Sequence, residues 1–477
     1  MKVLYVSSEV SPFIKTGGLA DVAGSLPKTL KKDGVDIRVC MPLYENIPHN
    51  FRQRMKFIKS VYISLSWRNL YCGIYELEHN GVTHYFIDNE YYFNRSEIYG
   101  HFDDGERFAF FSKAVIDIMS ELDFKPDIIH CNDWQTALIP VYLRLIYGGS
   151  AYHADIKTVL TIHNLQYQGR YGREILGDVF GISEEFFYNG FLAFGDGISL
   201  LKGAILCADH ITTVSPSYAN EIQTPYFGYG LDAVLRSNLG KLTGIINGID
   251  EEWFNPKTDP HLFQNYDLNT REDKQYNKDE LLRILGIKAA DDIPVIAIIS
   301  RLVGHKGIDL IAHCLDEIMA EDLRLVVLGM GEWRYEQMFE QLKYRYPGKA
   351  SINVMFSDDL ANKIYAGADI IIMPSRSEPC GIAQMIAMHY GTIPIVREVG
   401  GLKDTVKPFD RETGEGNGFV FANYNAHDML HVIRQTVEFY KDKAGWDKLM
   451  INAMTSDFSW KQSARELKDV YKKVCGC

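Results

Sequence analysis

The sequence predicts an α/β protein with two doubly wound domains, because short β-branched runs alternate with helical patterns in two separate series. The first series contains predicted strands at 3–6, 127–131, 157–162 and 210–214. The second contains predicted strands at 293–300, 323–329, 370–373, 393–396 and 419–421. This alternation is typical of parallel sheets that are covered by helices on both faces.

The length of 477 residues is too great for one compact core and fits two or three domains. A polar segment at 250–275, which lacks periodicity, separates the two series, so we expect a hinge that starts near Asn247. In open α/β sheets, ligands bind beyond the carboxyl ends of the strands. Two such domains facing each other would form an interdomain cleft with functional groups from both.

The composition excludes several classes of protein. With 46% apolar and 23% charged residues, no long apolar span and no basic apolar leader, the chain reads as a soluble globular protein, and we expect it in the cytoplasm. The net charge of −12 argues against nucleic acid or an anionic membrane as a partner. Eight scattered cysteines lack the paired spacing of a zinc site, so reduced thiols are expected. Cys475 and Cys477 form either a metal or redox pair or a frayed tail.

The segment 376–381, which reads Arg-Ser-Glu-Pro-Cys-Gly, lies between a predicted strand and a helix-like run at 382–390. This position places the Glu378 carboxylate beside the amides of a helix start, where a phosphate or a sugar can bind. The alternative is an ordinary βα loop in which Glu378 caps the helix.

Two further loops carry lysines beside glycines or arginine. Gly17 and Gly18 follow the first strand and open a helix to about residue 32, and Lys15 adds a positive charge for an anion there. Arg301 and Lys306 follow the first strand of the second series and could clamp a diphosphate. Structural glycines and solvated surface cations are the alternatives.

Polar residues also follow two strands of the first series. His163 and Asn164 come after the strand at 157–162, and Asp133 and Trp134 come after the strand at 127–131. Such side chains can reach a sugar hydroxyl. Alternatively, His163 is a structural hydrogen-bonding residue, and Asp133 caps a helix that begins at Trp134. The chain shows no zinc-type ligand pattern and no local signature of a Ser or Cys nucleophile.

Taken together, six motifs of the chain resemble those of the bacterial glycogen synthases and plant starch synthases of glycosyltransferase family 5. The motifs are Lys15-Thr-Gly-Gly-Leu-Ala-Asp21, Thr161-Ile-His-Asn-Leu165, Asn247-Gly-Ile-Asp250, Ser300-Arg-Leu302, Lys306-Gly307 and Glu378-Pro-Cys-Gly381. The resemblance extends nearly end to end and includes 208–216, 390–396, 400–406 and 457–460.

The resemblance implies a GT-B enzyme, a hexosyltransferase that moves glucose from ADP-glucose to the non-reducing end of an α-1,4-glucan such as glycogen, with retention. It implies domains at 1–246 and 247–456, and a C-terminal helix within 457–477 that crosses back to the N-terminal domain. No metal or other cofactor is expected, because cations and helix amides can neutralise the leaving diphosphate. The lysine-containing first loop resembles that of enzymes that use ADP-glucose and differs from that of enzymes that use UDP-glucose.

Carried over residue by residue, the resemblance implies that Glu378, His163, Arg301 and Lys306 are catalytic. It also implies donor binding by Lys15, Gly18, Asn247, Arg301, Lys306, Phe356, Cys380, Gly381 and Ile382. Asp133 and Asp21 are given either a catalytic or a structural role.

Several positions depart from the family pattern, among them 377 and 356. Ser377 stands where Phe is usual, which puts the packing behind Glu378 in question. Phe356 stands where a Tyr often stacks on adenine, and it keeps the ring without the hydroxyl. Alternative functions are a sugar-nucleotide isomerase of the same architecture, a non-catalytic glucan-binding protein and a phosphorylase, which would need a pyridoxal-phosphate lysine.

Overall fold

A computed structural model describes residues 1–290 and 292–476. The chain divides into two compact units, which we call the N-terminal unit (Met1–Gly248 with Trp460–Cys477) and the C-terminal unit (Ile249–Ser459). The boundaries predicted from sequence, after residues 246 and 456, lie two and three residues before the observed ones. Cys477, for which the sequence left open a metal or redox pair with Cys475 or a frayed tail, lies outside the described residues.

The N-terminal unit is built on a nine-stranded sheet with the order β12-β11-β7-β6-β1-β2-β5-β4-β3. The chain between β7 and β11 forms a small separate sheet with the order β8-β10-β9. The strands are β1 Lys2–Val6, β2 Asp36–Pro42, β3 Lys56–Leu65, β4 Arg68–His79, β5 Val82–Asp88, β6 Ile128–Asn132, β7 Lys157–Ile162, β8 Arg170–Gly172, β9 Ala193–Phe194, β10 Gly197–Ser199, β11 His210–Thr213 and β12 Leu242–Gly244.

One part of this sheet differs from the parallel arrangement that the sequence predicted. β4 runs antiparallel to both β3 and β5. Only Ser66 and Trp67 connect β3 to β4, and Ser66 has a left-handed φ of 54°. A two-residue link makes a hairpin, whereas parallel neighbours need a crossover of a dozen residues or more.

Among the described residues of the N-terminal unit, nine α-helices precede the last one. They are α1 Gly18–Lys32, α2 His49–Arg52, α3 Glu90–Phe93, α4 Asp104–Ile118, α5 Leu138–Leu145, α6 Glu185–Tyr188, α7 Leu200–Cys207, α8 Pro216–Glu221 and α9 Asp232–Ser237. In α1 the buried residues recur at helical spacing, for example Leu19, Val22, Leu26 and Leu30. This face packs against the sheet, so the first turn of α1 lies at the carboxyl end of β1.

The C-terminal unit has a six-stranded parallel sheet with the order β15-β14-β13-β16-β17-β18. Its strands are β13 Val295–Ile299, β14 Arg324–Leu328, β15 Ala350–Asn353, β16 Ile370–Met373, β17 Ile393–Arg397 and β18 Phe419–Phe421. Its helices are α10 Lys274–Ile284, α11 Ile308–His313, α12 Leu315–Ala320, α13 Trp333–Arg345, α14 Asp358–Gly367, α15 Ala383–His389, α16 Gly400–Thr405, α17 Ala426–Phe439 and α18 Lys443–Met454. The strand order reverses at β13, which is where doubly wound sheets bind ligands.

The last helix, α19 (Trp460–Cys475), belongs to the N-terminal unit. It packs against α1 and β7 and buries Trp460, Leu467 and Tyr471. The Tyr471 hydroxyl lies 2.6 Å from Nδ1 of His130 in β6, so the helix is hydrogen-bonded to the middle of the sheet. Within the described residues, no helix combines the length and the apolar character that a membrane span requires.

Candidate active site

The residues predicted to form the site fall into two groups, one in each unit. The N-terminal group contains Lys15, Gly18, Asp21, Asp133, His163 and Asn247, and the C-terminal group contains Arg301, Lys306, Phe356, Glu378, Cys380, Gly381 and Ile382. Most of them lie in loops that follow the carboxyl ends of β1, β6, β7, β13, β15 and β16.

The loop between β1 and α1 is held by a buried carboxylate. Oε2 of Glu9 accepts hydrogen bonds from the amide of Thr16 at 2.6 Å, the hydroxyl of Thr16 at 2.9 Å and the amide of Gly17 at 3.3 Å. Burial raises the pKa of Glu9, although these hydrogen bonds oppose the shift. The loop therefore has a fixed shape, and its glycines lie at the start of α1.

Lys15 and Asp21, which the sequence placed in this loop, form an ion pair. The Lys15 Nζ lies 2.9 Å from Oδ1 of Asp21, and both side chains are about a third exposed, at 35% and 27%. Asp21 lies in the first turn of α1. Its carboxylate thereby directs the lysine toward the start of the helix, where amide groups favour an anion.

His163 is held by Asn132 at the end of the neighbouring strand. Nδ2 of Asn132 donates to the carbonyl of Val6 at 2.9 Å, so its Oδ1 is the acceptor for His163 Nε2 at 2.8 Å. Burial lowers the pKa of His163 to about 3, so the imidazole is neutral at physiological pH. Because Nε2 then carries the proton, Nδ1 is a hydrogen-bond acceptor and suits a sugar hydroxyl.

Asp133 does not cap the helix that follows it, which corrects one alternative from the sequence. It precedes a 3₁₀ turn, Trp134–Thr136, but its side chain makes no cap hydrogen bond. Its Oδ1 instead accepts the amide of His163 at 2.7 Å and that of Asn164 at 3.4 Å. Asp133 has φ 55° and ψ −172°, a costly conformation for a residue with a side chain. Burial raises its pKa to about 7.

Asn247 and His163 both line a small cavity inside the N-terminal unit. The cavity has a volume of about 30 Å³, and its lining also includes Thr213 and Trp460. A space of this size holds about one water molecule. The two residues, which the sequence assigned to one site, therefore border the same space.

Glu378 and Lys306 form the centre of the C-terminal group. The Lys306 Nζ lies 2.9 Å from Oε1 and 2.7 Å from Oε2 of Glu378, and the hydroxyl of Ser375 donates to Oε2 at 2.8 Å. Glu378 is buried, with 5% of its surface exposed. The carboxylate is therefore an acceptor with two fixed donors and not the helix cap that the sequence left as an alternative.

Glycines allow close packing around this carboxylate. Gly307, which has a φ of +78°, lies so close to the β16 loop that an added Cβ would stand 2.0 Å from the Pro374 carbonyl. Gly400, with a φ of +46°, would meet the Glu378 carbonyl at the same distance. The amide of Gly401 donates to the Glu378 carbonyl at 3.1 Å. Backbone contacts thus fix the position of the Glu378 main chain.

The remaining members of the C-terminal group lie on the segments that follow β13, β15 and β16. Arg301 is exposed. Burial lowers the pKa of His305, which lies between Arg301 and Lys306 in the chain, and the positive charges of Lys306 and Arg301 lower it further. Cys380 is buried, and Gly381, with a φ of +74°, and Ile382 lead into α15 at Ala383. Phe356 is 74% exposed on the loop after β15. The group joins two cations, a carboxylate, helix amides and an open aromatic ring.

Among residues 1–290 and 292–476, no cluster of three or more histidine, cysteine, aspartate or glutamate side chains is placed to hold a metal ion.

Several residues that shape the site were not selected from the sequence. They are Glu9, Asn132, Ser375, Arg397 and Tyr424. Ser375 and Asn132 could have been chosen, because each is a polar residue at the carboxyl end of a predicted strand. Glu9 resembles any loop acid until its contacts to Thr16 and Gly17 are known.

Two family models match the chain. The model described as the starch synthase catalytic domain matches residues 2–237, and the model of the glycosyl transferases group 1 matches residues 284–448. Proteins called glycogen synthase in Geobacillus thermodenitrificans and Anoxybacillus flavithermus are 50% and 51% identical over 474 residues, which cover 99% of this chain and 98% of each relative. The glycogen synthase of Bacillus cereus is 48% identical over the same length.

Solved structures agree with these matches. The catalytic domain of starch synthase IV from Arabidopsis thaliana, bound to ADP and acarbose, has a TM-score of 0.93 and 31% identity and covers all of this chain. The sucrose-phosphate synthase of Thermosynechococcus elongatus, at 14% identity and a TM-score of 0.63, shares the fold. The predicted GT-B fold class is confirmed. With two matching domain models and half of its residues identical to those of glycogen synthases over nearly its whole length, the chain belongs to the glycogen and starch synthase family of glycosyltransferases.

Proposed function

We propose that this enzyme transfers glucose from ADP-glucose to the non-reducing end of an α-1,4-glucan, with retention at the anomeric carbon. The bond between the anomeric carbon and the diphosphate oxygen breaks, and the acceptor's 4-hydroxyl oxygen forms the new bond. The diphosphate keeps the electron pair, and the hydroxyl proton leaves to a phosphate oxygen. The pair of Lys306 and Glu378, held by Ser375 on the loops after β13 and β16, is the observation that carries the proposal.

We assign the diphosphate to the cations. Negative charge develops on the leaving diphosphate as the glycosidic bond breaks, so Lys306 and Arg301 stabilise the transition state more than the ground state. Lys15 and the amide of Gly18 add positive potential at the start of α1. Each such group typically contributes about 10²-fold to the rate.

We assign the transferred glucose to His163 and Glu378. Neutral His163 offers Nδ1 to a sugar hydroxyl, and the Glu378 carboxylate accepts from others. Because Asn132 and Asp133 fix the ring and the backbone of His163, its orientation needs no reorganisation on binding. Cys380, Gly381 and Ile382 bring backbone groups toward the same sugar, and Asn247 lines the same small cavity as His163.

We place adenine against the exposed ring of Phe356. An open aromatic face stacks on a base without needing the hydroxyl of a tyrosine. We further propose that the reaction needs no metal, since Arg301, Lys306 and Lys15 supply three positive charges to the diphosphate. A cytoplasmic location, where sugar nucleotides and glucans meet, completes the proposal.

The proposal is tested by initial rates with labelled ADP-glucose and glycogen, with and without a chelator. Label in the glucan, unaffected by the chelator, supports it. Binding of ADP-glucose with conversion of its sugar but no label in the glucan would point instead to a sugar-nucleotide isomerase.

A further inference from the structure

Tyr424 lies beside the two loops that carry Lys306 and Glu378, although it belongs to neither. It stands in the short connection between β18 and α17 and is half-buried. No sequence motif selected it. Its contacts reach both loops.

On the side of the Lys306 loop, the Tyr424 hydroxyl donates to Oδ1 of Asp309, and it lies 3.2 Å from the carbonyl of Gly304. Gly304 precedes Lys306 by two residues, and Asp309 follows it by three in the first turn of α11. Burial and the neighbouring carboxylate raise the pKa of Tyr424, so the hydroxyl keeps its proton and remains a donor. The tyrosine thus ties both ends of the segment that contains Lys306.

On the side of the Glu378 loop, two arginines stack on the Tyr424 ring. The guanidinium of Arg376 lies 4.7 Å from the ring centre, and that of Arg397 lies 5.4 Å from it. Arg397 donates from Nη1 to the carbonyls of Ser375 at 3.3 Å and Arg376 at 2.9 Å. Ser375 in turn donates its hydroxyl to Glu378. The loop is therefore held through its backbone.

We propose that Tyr424, with Arg397, is a positioning residue that fixes Lys306 and Glu378 relative to each other during glucosyl transfer. The inference rests on the roles proposed above for these two side chains. A displacement of about 1 Å in reacting groups can cost roughly 10²-fold in rate. The contacts of Tyr424 and Arg397 with the two loops, which we call the brace, should therefore affect kcat. Because Arg397 donates to main-chain carbonyls, its hold on the Glu378 loop does not involve the side chain at 377, where this chain has Ser.

The test compares Tyr424→Phe, Tyr424→Ala and Arg397→Met with the wild type. Tyr424→Phe keeps the ring and removes only the hydroxyl. The control is Tyr344→Phe on α13 of the same unit, since Tyr344 is 85% exposed. The measurements are kcat and KM for the nucleotide sugar at saturating glycogen, the Kd of ADP by calorimetry, and Tm.

We expect Tyr424→Phe to lower kcat by about tenfold, as the loss of one hydrogen bond to a charged group predicts. Arg397→Met should lower kcat by a similar or larger factor, because it releases the backbone of the Glu378 loop. KM and the Kd of ADP should stay within about threefold, since the donor keeps its other contacts. Tyr344→Phe should match the wild type in every measurement.

Wild-type kcat in both Tyr424→Phe and Arg397→Met would overturn the proposal. So would a fall in kcat that is fully accounted for by a lower fraction of folded protein, or a rise in KM without a change in kcat. If the wild type itself used another nucleotide sugar, the donor assignment would fail. The proposal for Tyr424 and Arg397 would then be tested by the ratios of variant to wild-type kcat and KM, measured with that donor.

Discussion

The Nζ of Lys306 lies within 2.9 Å of both carboxylate oxygens of Glu378, and it joins the loop after β13 to the loop after β16. The two residues are 72 positions apart in the chain, and the strands before them are hydrogen-bonded neighbours. A cation and a carboxylate, to which we assign the diphosphate and the sugar, therefore stand side by side.

Removal of either partner should nearly abolish transfer while the unit stays folded. We expect Glu378→Ala and Lys306→Ala each to lose about 10²-fold or more in kcat, because each removes a group that acts in the transition state. The double variant should lose less than the product of the two factors, since the residues act as a pair. Steady-state rates with circular dichroism as a folding check measure this.

The matched control for that pair is the surface ion pair of Lys343 and Glu340, whose atoms lie 2.7 Å apart in the same unit. Lys343→Ala should leave both rate and stability nearly unchanged, because exposed pairs contribute little. Wild-type turnover in Glu378→Ala or in Lys306→Ala would remove the pair from the mechanism.

Phe356 should contribute to donor binding and little to stability. Since its ring is 74% exposed, Phe356→Ala should leave Tm unchanged. Loss of stacking on a base costs about 1–3 kcal/mol, so KM for ADP-glucose should rise roughly tenfold or more. Phe356→Tyr should match the wild type. An unchanged KM in Phe356→Ala would place adenine elsewhere.

Asp133 should give the N-terminal unit a distinct pH dependence of stability. Its pKa is about 7 in the folded protein, whereas an unfolded aspartate titrates near 4. The folded state thus holds the proton between these values, and the carboxyl group destabilises the fold as pH rises from about 4 to 7. Relative to Asp133→Asn, the free energy of unfolding of the wild type should fall across this window by about a few kcal/mol.

Urea unfolding of the two proteins at a series of pH values checks this. A difference that stays constant over the window, or that grows in favour of the wild type, would contradict the assignment.

Lys274 should give the opposite sign at higher pH in the C-terminal unit. Its Nζ is buried and donates to the carbonyl of Ala366 and the hydroxyl of Thr392, both at 2.8 Å. Burial lowers its pKa to about 7, so the unfolded chain binds more protons between about pH 7 and pH 10. Relative to Lys274→Met, the free energy of unfolding of the wild type should therefore rise over that range. If urea unfolding gave a difference in free energy between the wild type and Lys274→Met that did not change with pH, the lowered pKa of Lys274 would be contradicted.

The strand pattern made the fold class and about half of the strands predictable. β7, β16 and β18 have the bounds that the sequence indicated, because buried parallel strands form continuous apolar runs between polar loops. The β3–β4 hairpin was not predicted. Its two-residue turn, Ser66-Trp67, contains neither the glycine nor the asparagine that marks such a turn in a sequence.

The site was predictable only in part. Lys306 and Glu378 could be selected because each follows a predicted strand, but their direct contact depends on the adjacency of β13 and β16. The polar contacts of Asp133 and the brace at Tyr424 join residues that are distant in sequence. Such contacts are set by tertiary packing and leave no local pattern.

The proposed function is tested most directly by the transfer of labelled glucose from ADP-glucose to glycogen, followed by digestion of the product with β-amylase. We expect rapid incorporation, a much lower rate with UDP-glucose, and release of the label as maltose, which requires an α-1,4 linkage at the non-reducing end. The absence of incorporation from ADP-glucose, or label that resists the digestion, would contradict it.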